Sequence, residues 1–121
     1  MATDETRAAT ENAALAAVAQ RNAAVNANDI EAFLSAYHPD FKIYEYPDKY
    51  LGQGTERMRD IFGPIFADGG AAVTVGDQMV LENTVVSAET LSLNGIAEDL
   101  ISICTVENGQ ITQVRLIELE E

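Results

Sequence analysis

The sequence is poor in the residues from which most specialised sites are built. Its 121 residues hold one cysteine, one histidine, no tryptophan and three prolines. A single cysteine, Cys104, cannot close an internal disulfide, and a single histidine, His38, cannot anchor a histidine-based metal site. Bases are scarce as well: 7 Lys and Arg stand against 20 Asp and Glu, a formal net charge of −13. So negative a surface repels phosphate, which argues against nucleic acid as a partner. No apolar run approaches the roughly 20 residues that cross a bilayer as a helix. Asp4, Glu5, Arg7 and Glu11 interrupt any signal-peptide-like stretch, so a cytoplasmic location is expected. No acidic cluster has EF-hand spacing, and "GQGTER" lacks the lysine and the strand-to-helix setting of a phosphate loop. No metal or cofactor is therefore expected, and Gly52 and Gly54 read as turn glycines.

What is present suits one folding unit. The length fits a single domain over residues 1–121, with residues 1–6 polar enough to fray. An apolar fraction of 47% supplies a core despite the charge. Two asymmetries stand out. From Asp60 onward there are 11 acids and one base, Arg115, so the second half carries −10 of the charge. All eight aromatics, by contrast, fall between Phe33 and Phe66. A hydrophobic pocket would thus be walled by aromatics from the first half and aliphatics from the second.

The periodicity changes once along the chain. Residues 8–28 are alanine-rich, free of Gly and Pro, and carry Leu15, Val18, Arg21, Asn22 and Val25 at helical spacing. Asn28 and Asp29 can cap a second helix with the stripe Ile30, Phe33, Leu34 and Tyr37, stopped by Pro39. Thr55 can cap a third, with Met58, Ile61, Phe62, Ile65 and Phe66 inward, loosened near Pro64 and ended at Asp68-Gly69-Gly70. Between them "FKIYEYP" alternates as a strand does. After Gly70, Val73–Leu81, Val85–Leu93, Ile96–Val106 and Ile111–Leu119 read as strands joined by the tight turns "ENT", "LNG" and "ENGQ". Three helices followed by an antiparallel meander make an α+β domain.

"NDIEAFLSAYHPDFKIYEYP", then "GTERMRDIFGPIF", then the strands around "VENGQITQV", resemble the NTF2-like superfamily. Within it the chain is most similar to the SnoaL-like and ketosteroid-isomerase-like small proteins, over roughly residues 10–118. The resemblance implies a cone, in which a curved, mostly antiparallel sheet wraps three N-terminal helices around a pocket. It also implies homodimers formed through the convex sheet face. It leaves activity open, because the superfamily holds isomerases, cyclases, dehydratases, epoxide hydrolases and non-catalytic binding modules.

Glu45 and Arg21 are the candidate catalytic residues. If Phe41 and Ile43 face the cone, alternation turns Glu45 inward too, where desolvation among aromatics would make it a better proton acceptor. The resemblance places Glu45 where ketosteroid isomerases carry their catalytic aspartate, a known case of pKa tuning. The isomerase oxyanion hole does not carry over. Its helix-one tyrosine and late-strand aspartic acid match Arg21 and Ser102, which argues against steroid isomerisation. Of the two supporting tyrosines, one matches Tyr37 and the other becomes Phe62. Arg21, at the edge of the helix-one stripe, needs an anion: Glu45, Glu118 or a substrate carboxylate. Val18, Phe33, Tyr37, Phe41 and Ile43 are expected to line the pocket from the first half, with Phe62 and Phe66. Leu100, Ser102, Val114 and Leu116 are expected from the second, with Glu118 nearer the mouth.

Each of these residues also has a plainer reading. Glu45 can sit solvated at the mouth, and Arg21 can lie on the helix surface. His38 reads as a helix-end residue with a fallback acid–base role, and Cys104 as a small core hydrophobe. Tyr44, Tyr46 and Tyr50 fit a pocket wall or a dimer contact. Asp99, Ile101, Ile103 and Thr105, with Ile111 and Ile117, are expected on the outer sheet face as the dimer surface. Two functions follow. One is an enzyme that moves a proton next to a carbonyl, or activates water, on a small hydrophobic molecule. The other is a non-catalytic ligand-binding or dimerisation module in which Glu45 and Arg21 form a structural pair.

Overall fold

Alanine sets the first element. In the computed structural model, which describes residues 4–118, the chain opens with α1 (Asp4–Ala27), buried along Ala14, Ala17, Val18, Arg21, Ala24 and Val25. The expected fraying of residues 1–6 lies partly outside the described residues, while Asp4, Glu5 and Thr6 are helical. Asn28 ends α1 in the left-handed conformation (φ 53°). Its N–H donates to Val25 O and that of Asp29 to Ala24 O, the two-bond closure of a Schellman turn. Asp29 then caps α2 (Ile30–Ser35) by accepting the Ala32 N–H at 3.1 Å.

α2 is shorter than its apolar stripe suggests. Tyr37 begins strand β1 (Tyr37–Glu45), because Ala36 O accepts the Ile111 N–H and Tyr37 pairs in parallel with Ile111. Pro39 lies inside β1, in the stretch between Tyr37 and Lys42 where the ladder is interrupted, so its missing N–H costs nothing. His38 is accordingly an exposed strand residue whose Nδ1 accepts the Asp40 N–H. A second strand, β2 (Lys49–Gln53), pairs antiparallel with β1, and Gly52 belongs to it, opposite Ile43. Only Gly54 (φ 93°) is a special-conformation glycine there, and it, not Thr55, stands at the cap position of α3 (Thr55–Ala67). α3 runs through Pro64 to its end at Asp68.

Strands β3 (Ala71–Leu81), β4 (Thr84–Leu93), β5 (Ile96–Glu107) and β6 (Gln110–Glu118) complete a six-stranded sheet. Its order is β2-β1-β6-β5-β4-β3, antiparallel except where β1 meets β6. Leu119, expected to end β6, lies outside the described residues. Asn94 and Asn108 carry positive φ in the two hairpin turns ahead of Gly95 and Gly109, as twisted hairpins require.

Two bulges decide which residues face inward. One between Val75 and Gln78 switches the inner face of β3 from Ala71 and Val73 to Gln78 and Val80, and leaves Met79 and Leu81 exposed. The other, opposite Thr105 and Val106, leaves Thr112 unpaired, so Ile111 and Val114 are both inward. Ile111 is therefore fully buried, not on the outer face. The exposed edge of β3 is partly clasped from α1 and its turn. Asn26 exchanges two bonds with the Val73 backbone, and Asn28 two with that of Ala71. Helices cover the concave side of the sheet. Among the described residues no helix is long and apolar enough to cross a membrane.

Candidate functional site

The aromatics of the first half meet inside the cone. Phe33 packs edge-on against Tyr37 and Phe62 and tilted against Phe66, at centroid distances of 5.2, 5.8 and 5.1 Å, and Tyr37 stacks on Phe41 at 4.6 Å. Beside them opens a cavity of about 110 Å³. Aliphatic residues of the late strands, Leu91, Leu93, Leu100, Val114 and Leu116, close the other wall. Aromatic and aliphatic halves of the chain thus face each other across one space.

One part of this wall is polar, and it is built around Arg21. The arginine sits on the inner face of α1, 6% exposed. Its Nη2 donates to Glu89 Oε2 at 2.6 Å and to Asn22 Oδ1 at 3.0 Å. Nε donates to the same Asn22 oxygen at 3.1 Å, and Nη1 to Cys104 Sγ at 3.2 Å. Ser102 Oγ donates to Glu89 Oε2 at 2.9 Å. Glu89 lies mid-strand on β4, registered between Val75 of β3 and Leu100 of β5. It is 8% exposed and lines the cavity together with Arg21, Asn22 and Ser102.

The electrostatics are those of a buried ion pair within a small polar cluster. Burial alone would weaken the hold of Arg21 on its proton, but Cys104, Tyr37 and Glu89 together outweigh it and raise its pKa. Tyr37 is pushed up to about 12, chiefly by burial, against the pull of the Arg21 guanidinium beside it. The phenol therefore stays neutral throughout the physiological range. In the unfolded chain it would ionise near pH 10. Its contribution to stability is thus intact below pH 10 and is lost as pH rises toward 12. Alkaline denaturation should show this loss, and Tyr37→Phe should flatten the stability curve between pH 10 and 12. An unchanged slope in the variant would contradict the assignment.

The residues expected to work together divide into three groups. Phe33, Tyr37, Phe41, Ile43, Phe62 and Phe66 line the cavity, as do Arg21, Leu100, Ser102, Val114 and Leu116. Val18 does not; it is fully buried in the core. Glu45 and Glu118 are exposed, and neither borders the cavity. Alternation and the register with Leu116 do give Glu45 the concave face, but as the last residue of β1 it lies at the rim. The anion for Arg21 is consequently Glu89, which the sequence reading overlooked. A signal was there: Val85, Ser87, Glu89, Leu91 and Leu93 share one face of a strand, and an acid in such a set requires a buried cation.

The tyrosines outside the cluster lie elsewhere. Tyr46 and Tyr50 are exposed, and Tyr44 packs against Tyr50 with the Arg115 guanidinium 4.6 Å from its ring. His38 borders a shallow polar depression with Asp40, Glu107 and Gln110, remote from the buried cluster. Among the described residues no three His, Cys, Asp or Glu side chains are grouped as metal ligands.

Comparison with known proteins agrees with this architecture. Residues 18–114 match the family model of the SnoaL-like domain, and the chain belongs to that family, within the NTF2-like superfamily. No curated protein matches the sequence. Among solved structures, an NTF2-like protein of unknown function from Cytophaga hutchinsonii superposes with a TM-score of 0.74 at 17% identity, over 88% of this chain and 89% of that one. A Kribbella flavida protein named for the ketosteroid isomerases superposes with a TM-score of 0.75 at 13% identity, covering 92% and 81%. An LEH-like epoxide hydrolase of M. tuberculosis gives 0.71 at 16%, covering 90% and 84%. At such identities the likeness establishes the fold, the α+β cone with its curved mixed sheet.

Proposed function

We propose that the protein is a small-molecule enzyme whose working site is the apolar cavity and whose general base is Glu89. The observation that carries this reading is the bonding of the Glu89 carboxylate. Arg21 and Ser102 both bond to Oε2, which leaves Oε1 free of the cluster on a residue that borders the cavity. A carboxylate held rigid from one oxygen presents the other to a bound molecule in a fixed direction, as proton transfer requires. Hydrocarbon walls exclude competing water and sharpen every charge inside. Glu89 could then take a proton from carbon next to a carbonyl, or from a water that attacks the substrate. The relatives named for isomerase and epoxide hydrolase chemistry make both reactions reasonable choices for a screen.

The test is a turnover screen of small enolisable carbonyl compounds and epoxides. Activity is expected in the native protein and its loss in Glu89→Gln. Full turnover in that variant would rule out the base. The exposed Glu45 is the control.

A homodimer through the convex sheet face is proposed on separate grounds. Val86, Ile101, Ile103 and Ile117 alternate with the buried set and lie in register across β4, β5 and β6 on the outer face. Apolar side chains grouped on a sheet face favour a partner. Light scattering should give twice the 13.1 kDa chain mass, and Ile103→Asp should return the single-chain value. A native protein at 13.1 kDa would refute the dimer.

A further inference from the structure

Resting on the reading that this cavity is the working site, we infer that its substrates are compact, uncharged molecules bearing a hydroxyl or carbonyl oxygen. The corresponding carboxylates are refused. A buried arginine at a cavity usually suggests an anionic ligand. Here the bonding opposes that role. Nε and one Nη2 proton go to Asn22, the other Nη2 proton goes to Glu89, and Nη1 gives one to Cys104. Four of the five guanidinium N–H groups are thus taken inside the cluster, and the charge itself is already met by Glu89. It is a positioning residue for Glu89.

The functions that remain open are of a different kind. Arginine can only donate, so Asn22 Oδ1 must be the atom facing it, and the Asn22 amide nitrogen takes part in no bond of the cluster. Tyr37 also lines the cavity, and its phenol has a proton to give. The wall thus offers two neutral donors, from Asn22 and Tyr37, and one charged acceptor, Glu89 Oε1. An oxygen function that accepts from the donors, with a proton directed at Glu89, satisfies both. A second carboxylate would meet the charge of Glu89 among hydrocarbon walls with no free cation to offset it. The net charge of −13 opposes its approach as well.

Volume limits the size. A cavity of about 110 Å³ is well below the roughly 300–1,000 Å³ of sites that take drug-sized ligands. Such a space suits a single ring with a short substituent.

Benzyl alcohol, benzoate and toluene share one ring and differ in the group presented, so they are suitable probes for titration by NMR. The alcohol is expected to bind at least about tenfold more tightly than benzoate or toluene, and its binding should vanish when Leu93→Trp fills the cavity. In Glu89→Gln the preference should shift toward benzoate by about tenfold, a change that loss of packing alone would not produce. Benzoate binding as tightly as the alcohol, and lost in Leu93→Trp, would overturn the charge selection while leaving the cavity as the site. A sterol bound more tightly than benzyl alcohol would overturn the size limit. If no probe binds, or none is affected by Leu93→Trp, both this inference and the cavity reading fall.

Discussion

Arg21→Met is expected to cost about 3–5 kcal/mol of folding stability, the usual effect of leaving one charge of a buried pair uncompensated. Glu89 would keep only its Ser102 bond, in a position 8% exposed. Domains of this size are stable by about 5–15 kcal/mol, so the variant should lose about a fifth or more of the total. Urea unfolding followed by circular dichroism measures this directly. The double variant Arg21→Met/Glu89→Leu should recover most of the loss, because removing both charges removes the desolvation penalty as well. Asn22 and Ser102, which lose partners in the double variant, border the cavity and can turn to water there. A single variant within about 1 kcal/mol of the native protein would mean that the pair is not energetically buried.

Glu89→Gln is the second large effect, and here the loss is of rate. Removing a general base lowers turnover by about 10²- to 10⁴-fold, whereas Glu45→Gln should leave the rate within about twofold. The two acids differ in one physical respect that matters. Glu89 lies mid-strand on β4, flanked by β3 and β5, and is held by an ion pair. Glu45 is the exposed last residue of its strand. Glutamine preserves shape and can still accept from Ser102 and Arg21, but the Arg21 charge is left without its counter-ion, so the melting temperature should fall as well and rates are compared well below it. Comparing the two variants by kcat and by melting temperature separates chemistry from folding. Loss of rate in Glu45→Gln with full activity in Glu89→Gln would return the base to the rim.

Much of the fold was open to reading from residue pattern. The strand alternation of Phe41 and Ile43, and of Leu100, Ser102 and Cys104, correctly sorts inner from outer faces. The hairpin turns at Asn94-Gly95 and Asn108-Gly109 are as local sequence requires. Three departures have identifiable causes, two of them in strand pairing. Tyr37 left helix α2 because a strand distant in sequence, β6, offered it a partner. β2 escaped notice because five residues that include a glycine carry little periodicity. Ile111 turned inward because a bulge at Thr112 shifted the face, and bulges follow from pairing.

By itself, the sequence determined most of the elements, the aromatic and aliphatic walls, and the need of Arg21 for an anionic partner if it faces inward. These depend on periodicity, composition and the need of a charge near an apolar stripe for a partner. Only the tertiary structure decided which of the 20 acids that partner is. Alternation assigns a face but not a depth, and Glu45, with Ile43, and Glu89, with Leu91, each share a strand face with an apolar residue two positions away. What separates them is the register of β4 against β3 and β5, and the helix that lays Arg21 across it. Desolvation is a property of those neighbours, none of them near Glu89 in the chain.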